Sequence, residues 1–217
     1  ITVHAAGRNY SADAVVITVP VSVLSNIHFA PVLPKEMTDA ANKFNYGSHT
    51  KVLLQYSKRF WVDFGVGGDT MSELPIGWTW EATDLQAGES GIMISYTSGK
   101  YADAQISMSD TDIIRSKREQ IETMYPGSNA LFIKAEVYPW HRTEFSMGGF
   151  TAYGLGQVTQ YWNTFRKPHG KIYFAGEHTD NKYIGYMEGA VRSGLRVAEE
   201  ISESLPKKKI KGGDADL

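Results

Sequence analysis

The sequence predicts a mixed α/β chain, and three observations predict it. Short runs rich in β-branched and aromatic residues, at 12–19, 50–56, 92–96, 134–138 and 171–174, read as strands. Stretches with apolar residues three and four apart, above all 110–125 and 187–204, read as helices. A chain of 217 residues with 42% hydrophobic and 21% charged residues also has enough apolar material for one large domain or two small ones.

The elements follow in order. Residues 1–5, the turn Ala6-Gly-Arg-Asn9 and the run 12–19 read as a hairpin feeding a buried strand. Pro20 ends that strand in a turn, because proline cannot donate to a ladder. A helix from 33 to 44 opens with Pro34 where helices favour proline, and a strand at 50–56 follows. Residues 60–91 are Gly-rich and irregular, anchored by Trp61, Trp78 and Trp80. After the strand at 92–96, the helix 110–125 starts on acids and stops at Pro126-Gly127. A strand at 134–138, a short helix at 157–165 and a strand at 171–174 lead to the last helix. Met187, Ala190, Val191, Gly194, Val197, Ala198 and Ile201 share one stripe of that helix, predicted to be buried, with Arg192, Arg196, Glu199, Glu200 and Glu203 toward water. The Lys-rich end, 206–217, is expected to be a solvated tail.

Composition removes several functions. Lys and Arg number 22 against 24 Asp and Glu, a net charge of −2, so nucleic acid is not an expected partner. The absence of cysteine excludes disulfides, thiolate metal sites, cysteine nucleophiles and any cysteinyl cofactor bond. The histidines show no metal-ligand spacing, so no metal is expected. No apolar run reaches the ~20 residues of a membrane helix, and no signal-peptide pattern is visible, so a cytoplasmic protein with no membrane partner is expected. The chain starts without Met on a strand already under way, which suggests a missing beginning.

The segment most informative about chemistry is Ile172-Tyr-Phe-Ala-Gly-Glu-His-Thr179 followed by Ile184-Gly-Tyr-Met-Glu-Gly-Ala-Val-Arg-Ser-Gly194. A strand ends in a Gly-acid step, and a helix opens after a loop. Gly176 would let a ligand approach the backbone, Glu177 can accept from hydroxyls, and the N–H groups near Met187 and Glu188 present partial positive charge. This is a seat for an anion or a cofactor, although such crossings recur in many α/β folds.

These segments resemble the FAD-dependent amine oxidase family, which includes monoamine and polyamine oxidases. Ala12-Asp-Ala-Val-Val-Ile-Thr-Val-Pro-Val-Ser-Val-Leu24, Ile27-His-Phe-Ala-Pro-Val-Leu-Pro34, Tyr46-Gly-Ser-His-Thr-Lys-Val-Leu-Leu-Gln-Tyr-Ser-Lys-Arg-Phe-Trp61, Gly148-Gly-Phe-Thr-Ala-Tyr153 and the two closing segments stand in the family's order. Residues 62–134 carry none of the resemblance. It implies the C-terminal part of a two-domain FAD-linked oxidoreductase. Residues 1–33 would belong to the FAD-binding domain, 34–147 to a sheet-and-helix substrate domain, and 148–205 to the return into the FAD-binding domain, before the tail. The family's Gly-x-Gly-x-x-Gly turn is absent from the chain. The resemblance therefore implies a longer enzyme, inactive as this piece alone, with the remaining segment or a self-dimer as a further partner.

The resemblance also assigns roles, each beside a plainer reading. Lys51 matches a lysine that contacts the flavin through water; a lone strand lysine is ordinarily a solvated edge residue. Tyr186 and Phe150 match two rings facing the amine substrate, and either would otherwise be a core aromatic. Gly176 and Glu177 would hold FAD, with Glu177 toward its ribityl or ribose hydroxyls rather than a surface acid. Met187 would act through its N–H, and Trp140 would pack over the flavin or in a core. Gly149 stands where some members attach FAD through cysteine, so FAD is expected to be non-covalent. The implied reaction oxidises a small amine to an imine and aldehyde, with oxygen reduced to hydrogen peroxide. An L-amino-acid oxidase, for which neither Arg59 nor Arg142 is marked, and a non-catalytic fragment or subunit are the alternatives.

Overall fold

A computed structural model describes residues 1–205. The tail expected at 206–217 lies outside the described residues. The chain opens with a hairpin, β1 (Thr2–Ala5) and β2 (Arg8–Ser11), then β3 (Val15–Ile17), α1 (Val21–Leu24) and α2 (Lys35–Lys43). The middle carries β4 (His49–Tyr56), β5 (Thr70–Met71), β6 (Trp78–Glu81), β7 (Gly91–Ser98), α3 (Lys100–Asp103), α4 (Asp110–Met124) and β8 (Phe132–Pro139). The return is α5 (Gln157–Tyr161), β9 (Ile172–Phe174) and α6 (Met187–Ser204).

The contacts divide the chain into two units. Unit one joins 1–44 to 153–205, and unit two is 45–152. Residues 34–44, grouped with the middle segment in the sequence reading, pack in unit one, where α2 lies on α1. The turn expected after Pro20 is the short helix α1, which buries Val21, Val23 and Leu24. The first hairpin turns at Ala6 and Gly7, so Arg8 and Asn9 are already strand residues. Among the described residues, no helix is long and apolar enough to cross a membrane.

In unit one, β3 and β9 pair in parallel, Ile17 opposite Phe174. Tyr173, Ala175 and Val197 form a small core with Ala14 and Ile201 against them. The packing of α6 corrects the sequence reading. Its buried residues are Gly189, Ser193 and Val197, whereas Met187 (88% exposed), Val191 (60%) and Leu195 (62%) look outward. Small side chains and two half-buried arginines face β9 because the turn after that strand offers carbonyls and amides to bind. Arg196 donates to the carbonyls of Phe174 and Arg166 and to Thr179 Oγ1.

Unit two is an antiparallel sheet in the order β5-β6-β7-β4-β8. Strand alternation gives β4 two faces. Thr50, Val52, Leu54 and Tyr56 are buried beneath α4, which contributes Ile113, Lys117 and Ile121, and Lys51, Leu53 and Gln55 are half-buried on the other face. The Ser109 side chain caps α4 by accepting from the N–H of Asp112. The irregular stretch after β4 is held by Trp61, fully buried, whose Nε1 donates to Glu81.

Candidate functional site

The residues singled out from the sequence fall into both units. In unit two, register builds the open face of the sheet. Lys51 stands opposite Tyr96 on β7 and Tyr138 on β8, and Tyr96 stands opposite Trp78 on β6. Directly opposed residues share a face, so these four form a row, with Trp80, Ile94, Leu53 and Glu136 in the next. The Lys51 Nζ lies 5.7 Å from the Trp80 ring centre and 5.9 Å from that of Tyr96, close enough for cation–π attraction. Lys51 is thus set among aromatic rings, not along a sheet edge.

Phe150 reaches this face through short backbone pairing. The N–H of Gly47 donates to the Phe150 carbonyl at 2.8 Å, and that of Gly149 to the Gly47 carbonyl at 2.9 Å. Its ring stacks on His49, centres 4.2 Å apart. His49 Nδ1 lies 2.6 Å from the Tyr96 hydroxyl. Burial, and then the charge of Lys51, lower the His49 pKa, and burial raises that of Tyr96. Both groups are therefore neutral near neutral pH.

The Gly148-Gly149 pair is explained locally. A Cβ on Gly148 would meet the Tyr46 ring at 2.6 Å, and one on Gly149 would collide with the His49 ring. Trp140 is 38% exposed, outside the core, with its carbonyl accepting from the Gly148 N–H. Lys51 and Phe150 are linked through His49 and Tyr96, which the sequence reading passed over. The alternation of β4 and β7 was visible, but the register that joins them is a long-range property.

In unit one, the Gly-acid step is used mostly by the protein itself. Gly176 has φ +141°, and the space beside it that a Cβ would need holds the His178 ring, 2.6 Å away. Its N–H donates to Ser193 Oγ at 2.8 Å. Glycine here makes room for the His178 ring. Glu177 Oε2 accepts from the Gly185 N–H at 2.7 Å, which fixes the loop leading to α6. His178 is buried, which pushes its pKa down; Glu177 opposes this and Arg196 adds to it. Burial alone would raise the Asp180 pKa, but the N–H groups of Tyr183 and Lys182 and the Arg192 guanidinium hold it below the usual range.

The start of α6 presents backbone donors. Tyr186 and Met187 are 69% and 88% exposed, and no side chain caps the helix. Helix geometry leaves the first N–H groups, those of Met187 and Glu188, without intrahelical acceptors. The eighteen residues of α6 align their dipoles behind these groups.

The family model for flavin containing amine oxidoreductases matches residues 1–202, including the middle segment, 62–134, that carried none of the resemblance. Bovine (Bos taurus) amine oxidase [flavin-containing] A is 31% identical over 214 residues, covering 95% of this chain and 40% of the relative. A putative L-amino-acid oxidase of Bacillus subtilis (strain 168) is 30% identical over 200 residues, covering 89% and 42%. Among solved structures, cyclohexylamine oxidase from Brevibacterium oxydans IH-35A superposes with a TM-score of 0.84 at 24% identity, over 93% of this chain and 45% of that one. A redesigned putrescine oxidase gives 0.81 at 26%, also over 93% and 45%. The chain therefore spans about two fifths of these curated relatives, and it belongs to the flavin-containing amine oxidoreductase family.

Proposed function

We propose that the chain serves, as part of a longer enzyme, the FAD-dependent oxidation of an amine. Amine, oxygen and water would yield aldehyde, ammonia and hydrogen peroxide. The observation that carries this reading is the aromatic face around Lys51, a surface suited to a small, neutral, largely apolar amine. The flavin, when bound, supplies the acceptor for the two electrons of the amine's α-carbon–hydrogen bond.

The remaining roles belong to the protein. Phe150, in unit two, and Tyr186, in unit one, each serve as a ring that meets the substrate and excludes water from it. Lys51 steers water or oxygen at the reacting centre. Gly176, Glu177, Tyr186, Met187 through its N–H, and Trp140 hold the FAD. This chain offers no cysteine for a thioether, in keeping with non-covalent FAD.

Among the relatives are both amine oxidases and L-amino-acid oxidases, so the substrate class needs its own argument. An amino acid requires a cation for its carboxylate. Arg59 is held by Glu81 and by the carbonyls of Thr83, Gln86 and Gly88, and Arg142 by Asp110. With both arginines engaged, an amine without a carboxylate is the better substrate. The test is peroxide release by the intact, flavin-loaded protein given an aromatic monoamine, a polyamine and an L-amino acid in parallel. The monoamine should turn over fastest; turnover of the amino acid alone would reject the reading, and protein that takes up no flavin would favour a non-catalytic subunit.

A further inference from the structure

His49 has no part in the reaction as described, yet it is built into the face that would meet the substrate. Its imidazole is 6% exposed and stands two residues before Lys51 on β4. The Phe150 ring covers it at 4.2 Å with the planes 23° apart, and the Tyr96 hydroxyl meets Nδ1 at 2.6 Å. Two glycines enclose it: a Cβ on Gly47 would come within 2.5 Å of Nε2, and one on Gly149 would strike Cδ2. The ring has no room to turn. It also needs no counter-charge, because burial and Lys51 keep it neutral.

The geometry points to His49 as a positioning residue for amine binding, holding the Phe150 ring in the orientation it presents to the substrate. The inference rests on the reading of Phe150 as a substrate-facing ring. An unsupported Phe150 would rotate about its side-chain bonds, and its flat face would be lost as a preorganised surface. Binding should suffer through His49 even though the imidazole itself is covered.

The test is calorimetric titration of the intact, flavin-loaded protein with α,α-dimethylbenzylamine. This aromatic amine has no α-hydrogen, so binding is read without turnover. His49→Ala and Phe150→Ala should each weaken binding about tenfold. On the Phe150→Ala background, His49→Ala should add less than about twofold, because both act through one contact. His49→Asn keeps a polar partner for the Tyr96 hydroxyl and removes only the ring stack. It should stay folded and lose the same affinity, and it decides the matter where His49→Ala does not fold. Wild-type affinity in His49→Asn overturns the inference, as does a full His49→Ala loss that persists without Phe150. A wild-type protein that binds no amine overturns the amine reading and this inference with it, whereas an amine-binding wild type with unaffected His49 variants overturns the inference alone.

Discussion

Two glycines of α6 make opposite demands on the same helix. At Gly189 a Cβ would collide with the Tyr183 carbonyl oxygen, a backbone atom that cannot swing away, whereas at Gly194 it would meet nothing within 4 Å. Gly189→Ala should therefore destabilise the protein by ~1–3 kcal/mol through overpacking, while Gly194→Ala should stabilise it by ~0.5–1 kcal/mol through helix propensity. Urea denaturation of the two variants checks both signs. A loss at Gly194 would mean that the outer face of α6 is covered by something beyond the described residues. Lys51 gives a chemical prediction at the same scale. If it steers oxygen, Lys51→Met should lower the rate of flavin reoxidation by roughly 100-fold and leave the reductive half-reaction nearly untouched, which stopped-flow absorbance separates. Lys51 was marked by the family resemblance of its flanking segment, since on its own a strand lysine reads as a solvated residue. That resemblance did not mark His49, whose importance comes from a hydrogen bond 47 residues away.

Whole elements show what periodicity can and cannot convey. The helix α4 was legible at both ends, from the acids in its first turn and the closing Pro-Gly, and the structure adds the Ser109 cap. Its buried lysine was not legible, because Lys117 sits on the apolar stripe between Ile113 and Ile121. It is 1% exposed, and its Nζ donates to the Pro75 carbonyl at 2.8 Å and to Thr97 Oγ1 at 2.5 Å. Burial lowers its pKa from 10.5 to about 7. Above the unfolded value both states are neutral, and stability is at its fullest. As pH falls below it, the unfolded chain takes up the proton first, so stability declines until the folded lysine also protonates near pH 7, a change of about 5 kcal/mol in all. Unfolding free energy should thus rise by roughly 2–3 kcal/mol between about pH 7.5 and 9.5. Lys117→Met should abolish that slope, and an unchanged slope in the variant would refute the assignment. In α6, by contrast, the spacing marked Val197 but also placed Met187 and Val191 in the buried stripe, and the structure turns both outward. The neighbours within unit one are amides and carbonyls, and they select glycine, serine and arginine.

At the scale of the molecule, the proposed reaction makes a demand that the protein's own titrations leave clear. An ammonium has no lone pair to support loss of hydride from its α-carbon, so only the neutral amine reacts. The logarithm of kcat/KM should climb with a slope of about one below the amine's pKa and level off above it. A competing explanation would place the titrating proton on the substrate face of unit two. The groups there argue against it, because His49 is shifted down by burial and Lys51, and Tyr96 is shifted up by burial, moving both away from the mildly alkaline range. Lys117 does titrate near 7, but it lies on the buried side of the sheet, so its effect belongs to stability and is removed by running the profile in Lys117→Met as well. The decisive comparison uses two aromatic amines whose own pKa values differ. If the proton lost is the substrate's, the rising limb moves with the amine by the full difference between them. A limb fixed at one pH for both amines would place the proton on the protein and refute a mechanism in which the aromatic face waits for a neutral nitrogen.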